Sequence, residues 1–221
     1  QLFYESPMVT VNMAVIPKDP STWTSKDVVL DYGYRTMEIK DDALYIITYS
    51  FFDSPYSRVL KLPDTTATSA DLQEVFRVAN QGGSGLRSIA TYDDALFIGT
   101  ENLDVWRSTA PPVQDAVPSP IVMIELLVQG RTIPVTVSEV GGKTDWAKVG
   151  DPSTFKGVAY LSAETQGWGG LWDFVAFNGQ LYASMADPVN GFSLFKTNGT
   201  VSSGDLWEWT PIVASQDIYT T

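Results

Sequence analysis

The stretch "YDDALFIGT" (residues 92–100) has two close relatives within the same chain of 221 residues. One reads "KDDALYIIT" (40–48), and a looser one reads "FNGQLYASM" (177–185). Each starts at the end of an apolar segment, passes through two turn-forming residues and enters a β-rich run. Asn-Gly in the third copy is the strongest short signal for a two-residue β-hairpin, and Asp-Asp is tolerated in the same place. The sequence therefore predicts the same hairpin three times.

Two more strands follow each hairpin. Third strands, in which apolar and polar residues alternate, are predicted for "SRVLKL" (57–62), "LDVWRS" (103–108) and "FSLFKT" (192–197). Fourth strands are predicted for "LQEVFRVA" (72–79), "TDWAKVG" (144–150) and "DLWEWTPIV" (205–213). A four-stranded antiparallel meander repeated at about 50 residues is typical of a β-propeller blade. The prediction is therefore an all-β fold, a β-propeller built from four-stranded antiparallel blades.

We expect residues 1–221 to form a single propeller domain or a segment of one. Full blades are predicted at residues 35–80, 87–150 and 171–213, and a partial blade at residues 1–34. In the partial blade, "VTVNMAVIP" (9–17) and "WTSKDVVLDYG" (23–33) match the third and fourth strands of an earlier blade. The chain is then either a small four-bladed ring with a poor closing blade or part of a larger propeller. An incomplete end blade exposes an apolar face and unpaired strand edges, which favours a protein partner or self-association.

An insertion at residues 110–142 interrupts the second blade. Its Pro-rich start, "STAPPVQDAVPSP" (108–120), predicts a stiff, extended segment. Two strand-like runs around "QGR" (129–131) then predict an inserted hairpin. If the hairpin projects, its apolar residues need cover from a partner subunit, and these interface candidates are Ile121, Met123, Ile124, Leu126, Leu127 and Val128. The alternative is that the hairpin packs against its own propeller.

The composition excludes several kinds of function. The net charge of −12, from 14 basic and 26 acidic residues, repels nucleic acid and anionic membranes. The chain contains no Cys and no His, which removes thiolate metal sites, disulfides and the commonest general base. No apolar run of about 18 residues is present, so no transmembrane helix and no membrane insertion are expected.

Three residues occupy equivalent places at the start of the predicted inner strands: Arg35, Arg87 and Trp172. They are candidates for lining one mouth of a central channel. Arginine binds carboxylate or sulfate groups through two hydrogen bonds, and tryptophan stacks on sugars or cations. Glu38 and Asp94 complete the ligand-binding prediction, and local ion pairing with these acids is the alternative explanation for the arginines.

The sequence contains candidates for two further kinds of site. Paired carboxylates suit glycoside chemistry, and the candidates on or beside the inner strands are Glu38, Asp42, Asp94 and Asp173. Turn formation explains the same acids, so no catalytic residue is assigned. In "MADPVNGF" (185–192), Asp187 and Asn190 are candidate oxygen ligands for calcium, although an Asx-turn accounts for them equally well.

The third copy also carries a family resemblance. "LWDFVAFNGQLYASMADPVNGFSLFKTNG" (171–199), followed by "WEWTPIV" (207–213), resembles the repeat of largely uncharacterised secreted β-propeller proteins of bacteria and archaea. Those repeats follow the pattern F-N-G-x-L-Y-V-G-T, then a strand such as E-V-W-R-S, then W-x-x-V. The segment "ALFIGTENLDVWRST" (95–109) matches the middle of the pattern with a shortened loop. The resemblance covers most of residues 35–213, and it implies a propeller fold and an extracellular or cell-surface location.

These features favour a non-catalytic extracellular propeller that acts as a structural, assembly or binding module. The alternative is a carbohydrate-binding or carbohydrate-active propeller, of glycosidase or lyase type, that uses the central channel. Propellers host many unrelated activities, so the fold alone does not choose between these functions.

Overall fold

The computed structural model describes residues 8–13, 24–29, 33–49, 56–67, 71–79, 85–108, 121–128, 131–138, 146–155, 170–187 and 191–213. Within these ranges the chain is all-β, with a single-turn 3-10 helix at Pro152–Thr154. The strands in chain order are β1 (Met8–Met13), β2 (Thr24–Val29), β3 (Gly33–Lys40), β4 (Ala43–Tyr49), β5 (Tyr56–Leu62), β6 (Gln73–Ala79), β7 (Leu86–Tyr92), β8 (Ala95–Thr100), β9 (Val105–Ser108), β10 (Ile121–Val128), β11 (Arg131–Ser138), β12 (Trp146–Gly150), β13 (Gly170–Phe177), β14 (Gln180–Asp187), β15 (Gly191–Thr197), β16 (Val201–Ser203), β17 (Leu206–Trp207) and β18 (Thr210–Val213). No helix in the described part has the length and apolar character needed to cross a membrane.

Most of these strands belong to three four-stranded antiparallel sheets. Sheet 1 has the order β3-β4-β5-β6, sheet 2 the order β7-β8-β9-β12, and sheet 3 the order β13-β14-β15-β18. The remaining strands form the hairpins β1–β2, β10–β11 and β16–β17. The four-strand prediction is therefore confirmed for each of the three copies.

The turn after the first strand is the predicted tight hairpin in every sheet. A two-residue type I′ turn requires positive φ at both central residues. That condition is met by Asp41 (φ 50°), Asp42 (59°), Asp93 (47°), Asp94 (58°), Asn178 (48°) and Gly179 (71°). The adjacent acids in the first two copies are thus turn residues with the same backbone shape as Asn-Gly in the third.

The prediction of one continuous fourth strand over residues 205–213 was wrong. The structure divides that stretch between β17, which pairs with β16, and β18, which closes sheet 3. Gly204 allows the tight turn between β16 and β17 because it adopts a left-handed conformation (φ 58°). The Glu208 N–H donates to the Thr200 carbonyl at 2.7 Å, which holds this small hairpin closed.

Sheet 2 lies between sheets 1 and 3, and each of its faces packs against one neighbour. One face packs onto sheet 1 through Leu86, Ile89, Leu96 and Ile98. The opposite face packs onto sheet 3 through Ala90, Ala95, Phe97 and Val105. Every residue of β8 is buried, because its alternating side chains enter both interfaces. The hydrophobic core therefore consists of two layers between three face-to-face sheets.

Equivalent positions point the same way in all three sheets. We call the face that turns toward the preceding sheet the upstream face, and the opposite one the downstream face. Aligned on their turns and strand registers, the upstream positions are Tyr34, Met37, Leu44 and Ile46 in sheet 1, Leu86, Ile89, Leu96 and Ile98 in sheet 2, and Leu171, Phe174, Leu181 and Ala183 in sheet 3. The downstream positions are Glu38, Lys40, Tyr45 and Ile47, then Ala90, Tyr92, Phe97 and Gly99, then Val175, Phe177, Tyr182 and Ser184.

The inserted hairpin is present as predicted. β10 and β11 pair from Ile121 with Ser138 to Val128 with Arg131. The insertion leaves sheet 2 continuous, because β9 and β12 on either side of it pair directly with each other. The side chains of this hairpin, including the six interface candidates, lie outside the described residues. The β1–β2 pairing likewise agrees with two adjacent antiparallel strands near the N-terminus.

Candidate binding site at the strand bulges

Each sheet has a β-bulge at the same place in its first strand. The strand register shifts at Arg35 in β3, at Arg87 in β7 and at Trp172 in β13, so each of these residues is the extra residue of a bulge. A bulge bends its strand and redirects the extra side chain, and bulges are enriched near functional sites. The three residues predicted to share a channel mouth are therefore the bulge residues of the three first strands.

The structure brings these bulge residues together around one carboxylate. Nη1 of Arg35 and Nη1 of Arg87 both donate to Oε1 of Glu101, each at 2.7 Å. The Arg87 guanidinium carbon also lies 3.8 Å from the centre of the Trp172 ring, in cation–π geometry. Sheets 1, 2 and 3 are thereby linked at one end of their first strands. We call Arg35, Arg87, Glu101 and Trp172 the bulge cluster.

The electrostatics of the bulge cluster suit binding or bracing better than acid–base chemistry. Arg87 is buried and Glu101 mostly buried, so their charge-assisted hydrogen bonds are weakly screened by water. Arginine stays protonated at any physiological pH, which removes it as a proton donor or acceptor. Trp172 is 48% exposed, so part of its ring is open for stacking by a sugar or a flat cation.

Sequence reasoning missed Glu101. The repeat could not indicate it, because the equivalent positions hold Tyr49 and Ala186, neither of which is acidic. Its backbone N–H donates to the Gly85 carbonyl at 2.9 Å, which fixes the end of β8 beside the bulge. Glu101 comes 14 residues after Arg87, where β8 returns beside the start of β7, and this hairpin geometry is the signal that indicates it.

The other two predicted ligand-binding residues have different surroundings. Oε1 of Glu38 accepts a hydrogen bond from the Thr91 N–H at 2.9 Å, which joins β3 to β7. Asp94 lies in its hairpin turn, and its Oδ1 is 4.0 Å from Nζ of the buried Lys40. Both contacts cross from sheet 1 to sheet 2, and neither involves the bulge cluster.

The remaining acids considered for glycoside or calcium chemistry have local backbone roles or fall outside the described ranges. Oδ1 of Asp173 accepts from the Phe174 N–H at 2.9 Å, and Asp42 belongs to a turn. Asp187 ends β14, whereas Asn190 lies outside the described residues. Across the described part, no group of three or more acidic side chains converges as a metal site would require. Calcium binding by this loop stays a prediction.

A second candidate surface is the downstream face of sheet 3. It forms an open concavity of about 310 Å³, lined by Asp173, Val175, Phe177, Tyr182, Ser184 and Leu194. The ring centres of Phe177 and Tyr182 are 6.2 Å apart, so the two aromatic rings pack side by side on this face. Most of the lining is apolar, which suits contact with another apolar surface.

One ion pair at the outer part of sheet 2 shows a perturbed acid. Oδ1 of Asp104 lies 2.6 Å from Nζ of Lys148. Burial raises the pKa of the Asp104 carboxyl above its usual value, and nearby Asp151 acts in the same direction, against the opposing effect of Lys148. This pair is a structural contact between neighbouring strands rather than part of either candidate surface.

Compared with protein-family models and with curated proteins, the chain matches none significantly.

Proposed function

We propose that the three sheets are consecutive blades of a β-propeller and that the chain is a non-catalytic module for assembly or binding. Each sheet is a four-stranded meander packed face to face with the next, and its first strand carries the same bulge and the same turn. That arrangement is the one stacked blades require. The resemblance to secreted propeller repeats makes an extracellular or cell-surface location part of the same proposal.

The distribution of exposed apolar side chains supports the assembly role. Among the residues whose exposure is described, sheet 2 has no large exposed apolar side chain. Those in or beside sheets 1 and 3 are Tyr34, Met37, Ile39, Trp172, Val175, Phe177, Phe192, Val201 and Ile212. The end faces thus lack the cover that the middle sheet receives on both sides. A surface of this kind marks a contact site for another protein.

The downstream face of sheet 3 shows the difference most clearly. Val175 is 54% exposed and Phe177 is 59% exposed, whereas the equivalent positions in sheet 2 are covered by sheet 3. Burying such a side chain fully is worth about 1.5–3 kcal/mol. Several of them on one face favour packing against a further sheet that presents an apolar upstream face.

Light scattering and native mass spectrometry test the assembly role. At micromolar concentration we expect a species larger than one chain. The same sample should show weak binding of the dye ANS, because the end faces are covered in the assembly. A strictly monomeric chain at micromolar concentration would contradict the proposal.

A second candidate function is carbohydrate binding at the bulge cluster, and the half-exposed Trp172 ring favours it. The ring is held on Arg87, beside the polar groups of Arg35 and Glu101. A stacking surface with adjacent hydrogen-bonding groups suits a sugar that carries carboxylate or sulfate groups. Titration with a sulfated oligosaccharide should quench tryptophan fluorescence in the wild type and not in Trp172→Ala. Equal quenching in both would refute this candidate.

A further inference from the structure

We infer that the partner of the open face is a second copy of this chain, bound head to tail. In this arrangement the downstream face of sheet 3 in one copy packs on the upstream face of sheet 1 in the next. The inference rests on the proposed assembly role, and it names the partner and the register of the contact.

The two end faces match because each has a buried counterpart inside the chain. Tyr34 and Met37, on the upstream face of sheet 1, occupy the positions of Leu171 and Phe174 in sheet 3. Leu171 and Phe174 are buried against sheet 2, whereas Tyr34 is 67% exposed and Met37 is 47% exposed. Sheet 1 therefore presents, uncovered, the kind of surface that sheet 3 uses to pack on sheet 2.

The opposing face is equivalent in the same way. Val175 and Tyr182, on the downstream face of sheet 3, take the positions of Ala90 and Phe97, which sheet 3 covers. A head-to-tail contact between copies would therefore repeat the internal contact between sheets 2 and 3.

The centres of the two interfaces differ in side-chain volume. Inside the chain, Gly99 lets sheet 3 approach closely, since a Cβ placed there would lie 2.8 Å from Cβ of Leu171 and 3.0 Å from Cε2 of Phe174. Ser184 replaces that glycine on the open face, and it lines the concavity of about 310 Å³. Met37 replaces the phenylalanine on the opposing face, where its flexible side chain adapts to the serine. Tyr34 takes the position of Leu171 and keeps a Cβ, so the contact between copies is slightly wider than the internal one.

An aromatic residue lies opposite a basic residue of the neighbouring strand on the downstream face of every sheet. Lys61 Nζ lies 5.7 Å from the ring centre of Tyr45 in sheet 1, and Arg107 Cζ lies 6.0 Å from that of Phe97 in sheet 2. In sheet 3 the cross-strand partners at the same place are Tyr182 and Lys196. Tyr45 and Phe97 are buried by the following sheet, whereas Tyr182 is only half-buried. The third pair thus occupies a place that the next sheet covers in the other two.

Each copy has one face of each kind, so the contact is heterologous rather than symmetric. That property allows a complementation test with variants that each lose one face. Phe177→Glu places a charge on the downstream face, and Met37→Glu places one on the upstream face. Val201→Glu is the matched control, because Val201 is exposed in the β16–β17 hairpin, outside both faces.

Sedimentation velocity at micromolar concentration should find both face variants monomeric when each is studied alone. Mixed in equal amounts, they should form a two-copy species, because the mixture retains one intact downstream face and one intact upstream face. The Val201→Glu control should associate like the wild type. Circular dichroism of each variant reports whether it has folded, and Val175→Lys with Tyr34→Lys is the substitute pair if one of the first two does not.

The outcomes separate the inference from the proposal beneath it. A monomeric wild type would refute the assembly role and the head-to-tail contact together. An associating wild type whose Met37→Glu variant still associates alone would indicate a contact between two identical faces. That result, or a mixture that stays monomeric, would overturn the head-to-tail inference and leave the assembly role standing.

Discussion

Phe174 and Phe177 provide a matched test of the stacked sheets. They lie three residues apart on β13 and point to opposite faces. Phe174 is 4% exposed and packs between sheets 2 and 3 against the Trp209 ring, with ring centres 6.2 Å apart. Phe177 is on the open downstream face. Truncation of each to alanine therefore compares the same chemical change on a covered and an uncovered face.

The expected magnitudes differ several-fold. A buried phenylalanine removes about 150–250 Å² from water, worth about 4–6 kcal/mol at 25 cal/mol per Å². An alanine side chain keeps part of this buried area, and Phe→Ala substitutions in protein cores cost about 3–5 kcal/mol. We expect about 4 kcal/mol for Phe174→Ala. For Phe177→Ala we expect at most about 1.5 kcal/mol, since the larger part of that side chain is already in water.

The assay is urea unfolding followed by tryptophan fluorescence, at a concentration where the wild type sediments as a single copy. In a thermal melt of the same samples, at about 2–4 °C per kcal/mol for a chain of this size, Phe174→Ala should lower the Tm by about 8–16 °C and Phe177→Ala by less than about 6 °C. Equal losses of stability for the two variants would show that both faces of sheet 3 are covered, and would refute a sheet 3 that packs on sheet 2 with only its upstream face.

Three further predictions concern single residues. Glu101→Gln removes the carboxylate that Arg35 and Arg87 share, and it should lower the free energy of unfolding in urea by about 2 kcal/mol. This is less than the loss of a fully buried ion pair, because the bulge is partly open to water. An unchanged free energy of unfolding would argue against the bulge cluster as a brace. Burial holds the pKa of Asp104 above its unfolded value, even beside Lys148. The stability of the wild type relative to Asp104→Asn should therefore fall as the pH rises from about 4 through the folded pKa. A relative stability that rises over this range would contradict the raised pKa. Asp94→Gly should stabilise by about 1 kcal/mol, because the third turn has Gly179 at this left-handed position, and a lower Tm would contradict that reading.

The repeat predicted much of the fold because its signals are local. The turn pairs at Asp93 and at Asn178 require positive φ, and few residue types tolerate it, so the hairpins could be read from the letters alone. Alternation in the flanking runs then placed the remaining strands. The division of residues 205–213 was missed because Trp207 and Trp209 continue the strand pattern across the break between β17 and β18.

The candidate site was only partly predictable, because a bulge is a property of two strands. Equivalence placed Arg35, Arg87 and Trp172 at one end of the first strands, and the structure brings them together. Their displacement from the ladder depends on the register with the next strand, which the sequence does not show. Glu101 has no acidic counterpart in the other copies, so periodicity could not indicate it.

The end faces were anticipated in kind but not in detail. The incomplete end blade predicted an exposed apolar surface. The residues that form this surface follow from the strand registers, which the sequence does not show. The sequence predicts the inserted hairpin as an interface, and the side chains of that hairpin lie outside the described residues. The open faces of sheets 1 and 3 now provide a better-defined surface for the same expectation.

A disulfide between copies tests the head-to-tail stack most directly. A Cβ on Gly99 would lie 2.8 Å from Cβ of Leu171, and the equivalent positions across the contact between copies are Ser184 and Tyr34. A contact about 1 Å wider, which the Cβ of Ser184 requires, brings this pair to the roughly 3.5–4.5 Å that a disulfide spans. The chain has no cysteine, so Ser184→Cys and Tyr34→Cys can each be introduced alone and then mixed under mild oxidation. Mass spectrometry without reductant should find a covalent pair made of one chain of each variant. Covalent pairs made only of identical chains, or none at all from an associated mixture, would contradict the account.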